Sequence, residues 1–185
     1  MEERDVKRPD EVVGYWCETL TSDDWWNVSP DLDDRVRRDF AATHLALSRG
    51  VPDAWRASPE ARLAAIIVLD QFPRNMYRGS PLAFATDWIA RREARLALDA
   101  GADAGVAYDR RHFFYMPFEH SEDMADQDRS VMLFEALGDE NYLDYAERHR
   151  DVIREYGRFP HRNAILGRES TAAELAYLAE PGAGF

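Results

Sequence analysis

The stretch Glu140-Asn-Tyr-Leu-Asp-Tyr-Ala-Glu-Arg-His-Arg-Asp-Val-Ile-Arg-Glu-Tyr156 decides the fold class. Tyr142, Tyr145, Ala146, His149, Val152, Ile153 and Tyr156 recur in steps of three and four, which puts them on one face of a helix. His149 lies on that apolar stripe and is expected to point inward. Leu63-Ala-Ala-Ile-Ile-Val-Leu69 is apolar on every side, which predicts a central helix packed all round. Abundant Ala and Leu and scarce Ile and Thr lean the same way. Nowhere does the chain alternate apolar and polar residues as a half-buried strand would. The predicted class is all-α.

Boundary signals divide the chain further. Ser29-Pro30, Ser58-Pro59 and Ser80-Pro81 each place a serine at an N-cap and a proline at the first helical position. Thr171 and Glu174 have the spacing of a capping box. Gly50, Gly101 and Gly138 follow helical patterns, and Phe72-Pro73 and Phe159-Pro160 are expected to end the helices before them. Together these marks predict about seven helices, over roughly 10–20, 30–48, 59–71, 81–100, 109–137 (broken near Pro117 and Ala125), 140–156 and 171–179, in one helical domain spanning 1–185. Trp25 and Trp26 fall in a predicted loop.

Composition narrows the function classes. The 185 residues carry 35 acidic and 23 basic side chains, a net charge of −12. Binding to a nucleic-acid backbone or an anionic membrane draws on clustered Lys and Arg, so neither is expected. Cys17 is the only cysteine, which excludes a disulfide framework and a Cys-rich zinc site. No apolar run approaches the ~18 residues of a membrane span. Met1-Glu2-Glu3-Arg4-Asp5 is too polar for a signal peptide, and a cytoplasmic location is expected. Lys7 is the only lysine, so the cations are almost all arginines suited to two-pronged bonds with carboxylates or phosphates.

Three stretches are dense in polar residues beyond what a helical bundle needs: Asp70-Gln-Phe-Pro-Arg-Asn-Met-Tyr-Arg-Gly79, residues 113–127 from Phe113 to Gln127, and Gly157-Arg-Phe-Pro-His-Arg-Asn-Ala-Ile-Leu-Gly-Arg168. The patterns D-Q-F-P-R-N-x-Y-R-G, F-F-Y-x-P-F-E-H-S-E-D-x-x-D-Q and G-R-F-P-H-R-N-x-x-L-G-R resemble the hallmark stretches of the bacterial "domain of unknown function 924" family. The similarity runs from Tyr15-Trp16 to Pro181-Gly182 and Phe185, with a departure at Cys17-Glu18. The resemblance implies a tetratricopeptide-like antiparallel array of helices and carries no activity with it.

The residues themselves suggest chemistry. Glu119, Glu122 and Asp126 at i, i+3 and i+7 are expected on one helical face, where clustered carboxylates suit acid/base work. Glu119, Glu122 and His161 are therefore the candidate catalytic groups, with His161 as proton relay. Arg74, Asn75, Arg78, His120, Arg162 and Asn163 are the candidate ligand contacts, since arginines beside turn amides grip carboxylates and phosphates. The ligand expected is a small anionic or zwitterionic metabolite. A plainer reading is that acidic helix and basic turns satisfy each other. Glu119, His120, Glu122, His149 and His161 include metal-ligand types but lack His-Glu-x-x-His spacing, so neither metal nor cofactor is expected. Cys17 reads as a packing residue. The alternative function is a tetratricopeptide-like protein-interaction module without catalytic activity.

Overall fold

The computed structural model describes residues 6–184; Met1-Glu2-Glu3-Arg4-Asp5 and Phe185 lie outside the described residues. Among the described residues stand nine helices and no strand: α1 over 9–19, α2 Ser22–Trp26, α3 Pro30–Arg49, α4 over 59–76, α5 Asp87–Asp99, α6 His112–Glu119, α7 Met124–Leu137, α8 Glu140–Tyr156 and α9 Ala172–Leu178. The all-α expectation holds, with nine helices in place of about seven. None of the described helices is long and apolar enough to cross a membrane.

Several starts follow the sequence signals. Ser29 Oγ accepts from Leu32 N–H at 3.3 Å and Ser58 Oγ from Ala61 N–H at 3.1 Å. Thr171 and Glu174 form the reciprocal capping box. Ser80-Pro81, in contrast, opens only a 3₁₀ turn, Pro81–Phe84, and α5 begins at Asp87. Trp25 and Trp26 sit in the short helix α2, not in a loop, because the Asp24 carboxylate accepts from the Thr21 N–H and hydroxyl, both at 2.8 Å, and fixes the start of the helix.

Pro73 does not end α4. The helix widens to π winding over Ile67–Gln71, where the Phe72 N–H reaches back to the Ile67 carbonyl, and resumes α winding at Phe72–Met76. Proline has no N–H for the carbonyl four residues back, here Leu69. The Thr86 hydroxyl donates to that carbonyl at 2.7 Å. His44 Nε2 lies 3.1 Å from Thr86 Oγ1. With the hydroxyl hydrogen directed at Leu69, His44 is the donor in that second bond. Burial pushes the His44 imidazole down to about 4, so the ring is neutral.

The segment 109–137, expected to break near Pro117 and Ala125, is two helices that part at residues 120–123, between those positions. Asp123 caps α7, its carboxylate accepting from the Ala125 and Asp126 N–H groups at 2.8 and 3.3 Å. Gln127 spans the break, its amide donating to the Glu119 and Ser121 carbonyls at 2.7 and 2.6 Å. Glu119, Glu122 and Asp126 therefore do not share one helical face: Glu119 ends α6, Glu122 lies in the turn and Asp126 opens α7.

Residues 6–78 with Leu82–Pro117 form one unit, and Gly79–Pro81 with 118–184 a second. In the first, every residue from Leu63 to Leu69 is buried, as their all-round apolarity predicts. The Phe72 ring packs against Trp16 and Phe40 at centroid distances of 5.5 and 4.6 Å. In the second unit α7 and α8 are joined through Gly138 and Asp139. Gly138 takes the left-handed conformation that closes α7, at φ 79°. Val152 and Ile153 of α8 are buried together with Phe159, and Met124, Tyr156 and Tyr177 close over them.

Candidate functional site

In the first unit the candidate ligand contacts meet protein carboxylates. Asn75 Nδ2 donates to Asp33 Oδ1 at 2.8 Å, and Arg78 forks onto the same group, Nε to Oδ2 at 2.7 Å and Nη2 to Oδ1 at 2.9 Å. Burial would raise the Asp33 pKa, but Arg78 and Asn75 outweigh it and hold the carboxylate below its ordinary range. Arg74 pairs with Asp87 through both terminal nitrogens, at 3.0 and 3.1 Å. Cys17 is half-buried, and burial pushes its thiol up to about 11, so it is not a thiolate at neutral pH.

The second unit brings together Glu119, Glu122, His149, His161, Arg162 and Arg168 around the Phe159 turn. Gly157 closes α8 at φ 68°, and Pro160–Arg162 winds as a 3₁₀ turn. Within it the Arg162 guanidinium lies over the Phe159 ring at 4.5 Å and donates to the His120 carbonyl at 3.0 Å. Phe159 also meets His149 edge-on, with centroids 5.6 Å apart, and His161 at 5.5 Å.

Glu122 is the anchor of this turn. Its carboxylate accepts from the Phe159 N–H at 2.8 Å and from both terminal nitrogens of Arg168 at 2.7 and 2.9 Å. Burial raises its pKa, yet Arg168 and the Phe159 N–H prevail and hold it below the ordinary value. Arg168 also donates from Nε to Asn163 Oδ1 at 3.0 Å and from Nη2 to the Phe159 carbonyl at 3.1 Å. Asn163 is buried, and its amide nitrogen donates to Ser170 Oγ at 3.0 Å.

Glu119 has a different neighbour. Its Oε1 lies 3.0 Å from Nδ1 of His149, and both side chains are 8% exposed. The same Nδ1 lies 2.8 Å from the Tyr145 carbonyl. Both neighbours are acceptors, so Nδ1 carries a hydrogen and Nε2 is the nitrogen left to exchange a proton. His161 is pushed down to about 4, by burial first and then by the positive charge of Arg162, which makes it a neutral imidazole at physiological pH.

Residues 12–182 match the model of a family of bacterial proteins of unknown function, DUF924. The chain belongs to that family. A solved structure of a protein of unknown function from Agrobacterium tumefaciens is 42% identical to this DUF924 chain, with a TM-score of 0.89 over 94% of this chain and 97% of the other. No protein of curated function matches it.

Sequence spacing assigned no role in this candidate site to three further residues of the DUF924 chain. His149 is the partner of Glu119; the sequence marks it by its place on the apolar stripe and as a possible metal-ligand type, not as a partner of Glu119. Gln127 fixes the carbonyl at which Glu119 sits, and Phe159 is the ring shared by His149, His161 and Arg162. Among the described residues no group of three or more His, Cys, Asp or Glu is arranged to hold a metal ion.

Proposed function

We propose that the protein binds a small anionic or zwitterionic metabolite in its second unit and moves a proton on it. Glu119 and His149 are the coupled acid/base pair, His161 the proton relay and Arg162 the cation that meets the ligand's negative group. The observation that carries this reading is the 3.0 Å approach of Glu119 Oε1 to His149 Nδ1 in nearly buried surroundings. A carboxylate on Nδ1 orients the ring and stabilises the imidazolium formed when Nε2 takes a proton. His161, kept near 4 by burial and Arg162, does not hold a proton at neutral pH, and its part in the relay is to pass one on. Glu122, Asn163 and Arg168 hold the turn, and the His120 carbonyl positions Arg162. Arg74, Asn75 and Arg78 take no part, because Asp87 and Asp33 already engage them. The chemistry assigned here needs no cofactor, and the location proposed is cytoplasmic.

A melting-temperature screen against monocarboxylates, dicarboxylates, phosphate monoesters and amino acids tests the reading. A ligand at 100 times its Kd adds about 2.7 kcal/mol, a shift of several degrees for this length. One class is expected to raise the wild-type midpoint and to lose that effect in folded Glu119→Gln and Arg162→Ala. A flat response to every class contradicts it.

The tetratricopeptide-like interaction module is a second reading. Its support is the α7–α8 hairpin, which leaves Met132 and Tyr145 exposed at 59% and 44%. It calls for a stoichiometric protein partner that is lost in Met132→Glu.

A further inference from the structure

Residues 180–184 fold back onto the proposed proton relay. Glu180-Pro181-Gly182-Ala183 forms a tight turn, with the Ala183 N–H donating to the Glu180 carbonyl at 3.2 Å and Gly182 at φ 79°. Proline followed by a glycine of positive φ is the signature of a type II turn. The turn delivers Gly184, itself at φ 84°, to the side of His161. A Cβ at Gly184 would stand 3.2 Å from His161 Cβ and 3.5 Å from Cγ, so only glycine packs this closely there. The Gly184 N–H donates to the Tyr177 hydroxyl at 3.3 Å.

Tyr177 makes a firm post. Its ring lies against Tyr156 of α8, centroids 5.2 Å apart. Helix α9, which carries it, is held by the Thr171–Glu174 capping box and by the fork of Arg158 on Glu174 at 2.6 and 2.8 Å. The segment beyond the post is small and glycine-rich, and its two hydrogen bonds named above are both long. Such a segment opens locally at low cost while the helices stay folded.

We infer that residues 180–184 are a strap that closes over His161, hinged at the Pro181-Gly182 turn and latched by Gly184 on Tyr177. The inference rests on the reading of His161 as part of an acid/base site. When the strap lifts, the Nδ1 side of His161 becomes accessible to a small molecule; when it closes, Gly184 lies along that side and Nδ1 is buried, while the ring as a whole stays partly exposed.

Diethyl pyrocarbonate modification of His161, located by mass spectrometry, tests the strap without any ligand. The full chain is compared with Gly184→Val, whose β-branched side chain fits neither the positive φ nor the space, and with Tyr177→Phe, which loses the latch oxygen but keeps the ring. His161 is expected to react several-fold faster in Gly184→Val and measurably faster in Tyr177→Phe, with the His149 rate and the melting temperature unchanged. Equal His161 rates in all three proteins overturn the strap, as does a wild-type rate equal to that of free imidazole. Faster modification in both variants upholds the strap even if no compound in the ligand screen binds, an outcome that removes the acid/base reading alone.

Discussion

Arg168 closes a two-pronged grip on Glu122, with Nη1–Oε2 at 2.7 Å and Nη2–Oε1 at 2.9 Å, and so ties the turn after α8 to the turn after α6. Both side chains are less than a third exposed, at 24% and 28%. Planar forks of this kind are among the stronger charge-assisted bonds. The grip also sets the division of labour: Arg168 is held by the protein's own carboxylate, while Glu119 turns to an imidazole.

Removing one side of that grip leaves a partly buried ion without its counter-charge. Arg168→Met is expected to lower stability by about 2 kcal/mol at neutral pH, or about 5 °C in melting temperature. Glu122→Gln, which keeps an acceptor for the Phe159 N–H, is expected to lose less. Urea unfolding of both variants checks this ordering, and wild-type stability in Arg168→Met contradicts it.

The proline in α4 gives a second prediction. Thr86→Val keeps the shape of the side chain but leaves the buried Leu69 carbonyl and His44 Nε2 without the hydroxyl, at a cost of about 2 kcal/mol. Thr86→Ser retains the oxygen and should lose less. Equal midpoints for Val and wild type would show that the Leu69 carbonyl needs no donor.

Acid stability follows from the depressed imidazoles. His44 and His161 titrate near 4 in the fold against 6.5 as the ordinary value. Between those values the unfolded chain binds protons that the native protein refuses, so stability falls as pH is lowered through this window. Each shift is worth at most about 3 kcal/mol. Glu174, brought down to about 2 chiefly by Arg158, adds a further loss below its ordinary 4.5 as the unfolded carboxylate protonates first. Unfolding midpoints from neutral to acidic pH should decline from near 6.5 downward; a flat profile to pH 5 contradicts this.

Much of the fold is legible in the chain because helices declare themselves locally. The three-and-four spacing of 140–156, the all-apolar run 63–69 and the caps at Ser29, Ser58 and Thr171 each act within a turn or two of their own residues. What escaped depends on distant partners. Pro73 reads as a stop because the Thr86 hydroxyl that takes over the Leu69 carbonyl lies seventeen residues away. The break at 120–123 is displaced from Pro117 because the Asp123 cap and the Gln127 amide satisfy the turn there. For the site, the charged residues were visible but their pairing was not. Arg78 and Asp33 are 45 positions apart, Arg168 and Glu122 are 46, and no helical period links them. Glu119 was legible as a carboxylate in a polar motif, and its union with His149, thirty positions on, follows no helical period.

Imidazole resonances tell the site from the rest of the chain most directly, because His44 and His112 belong to the first unit and His149 and His161 to the second. The measurement is a nitrogen–proton correlation spectrum of the five histidines, recorded with and without each class in the ligand screen. The expected result is that one class moves the His149 and His161 signals together, leaves His44 and His112 in place, and loses its effect on His149 in Glu119→Gln. Signals of His149 and His161 that stay fixed with every compound would contradict an acid/base site at Glu119 and His149.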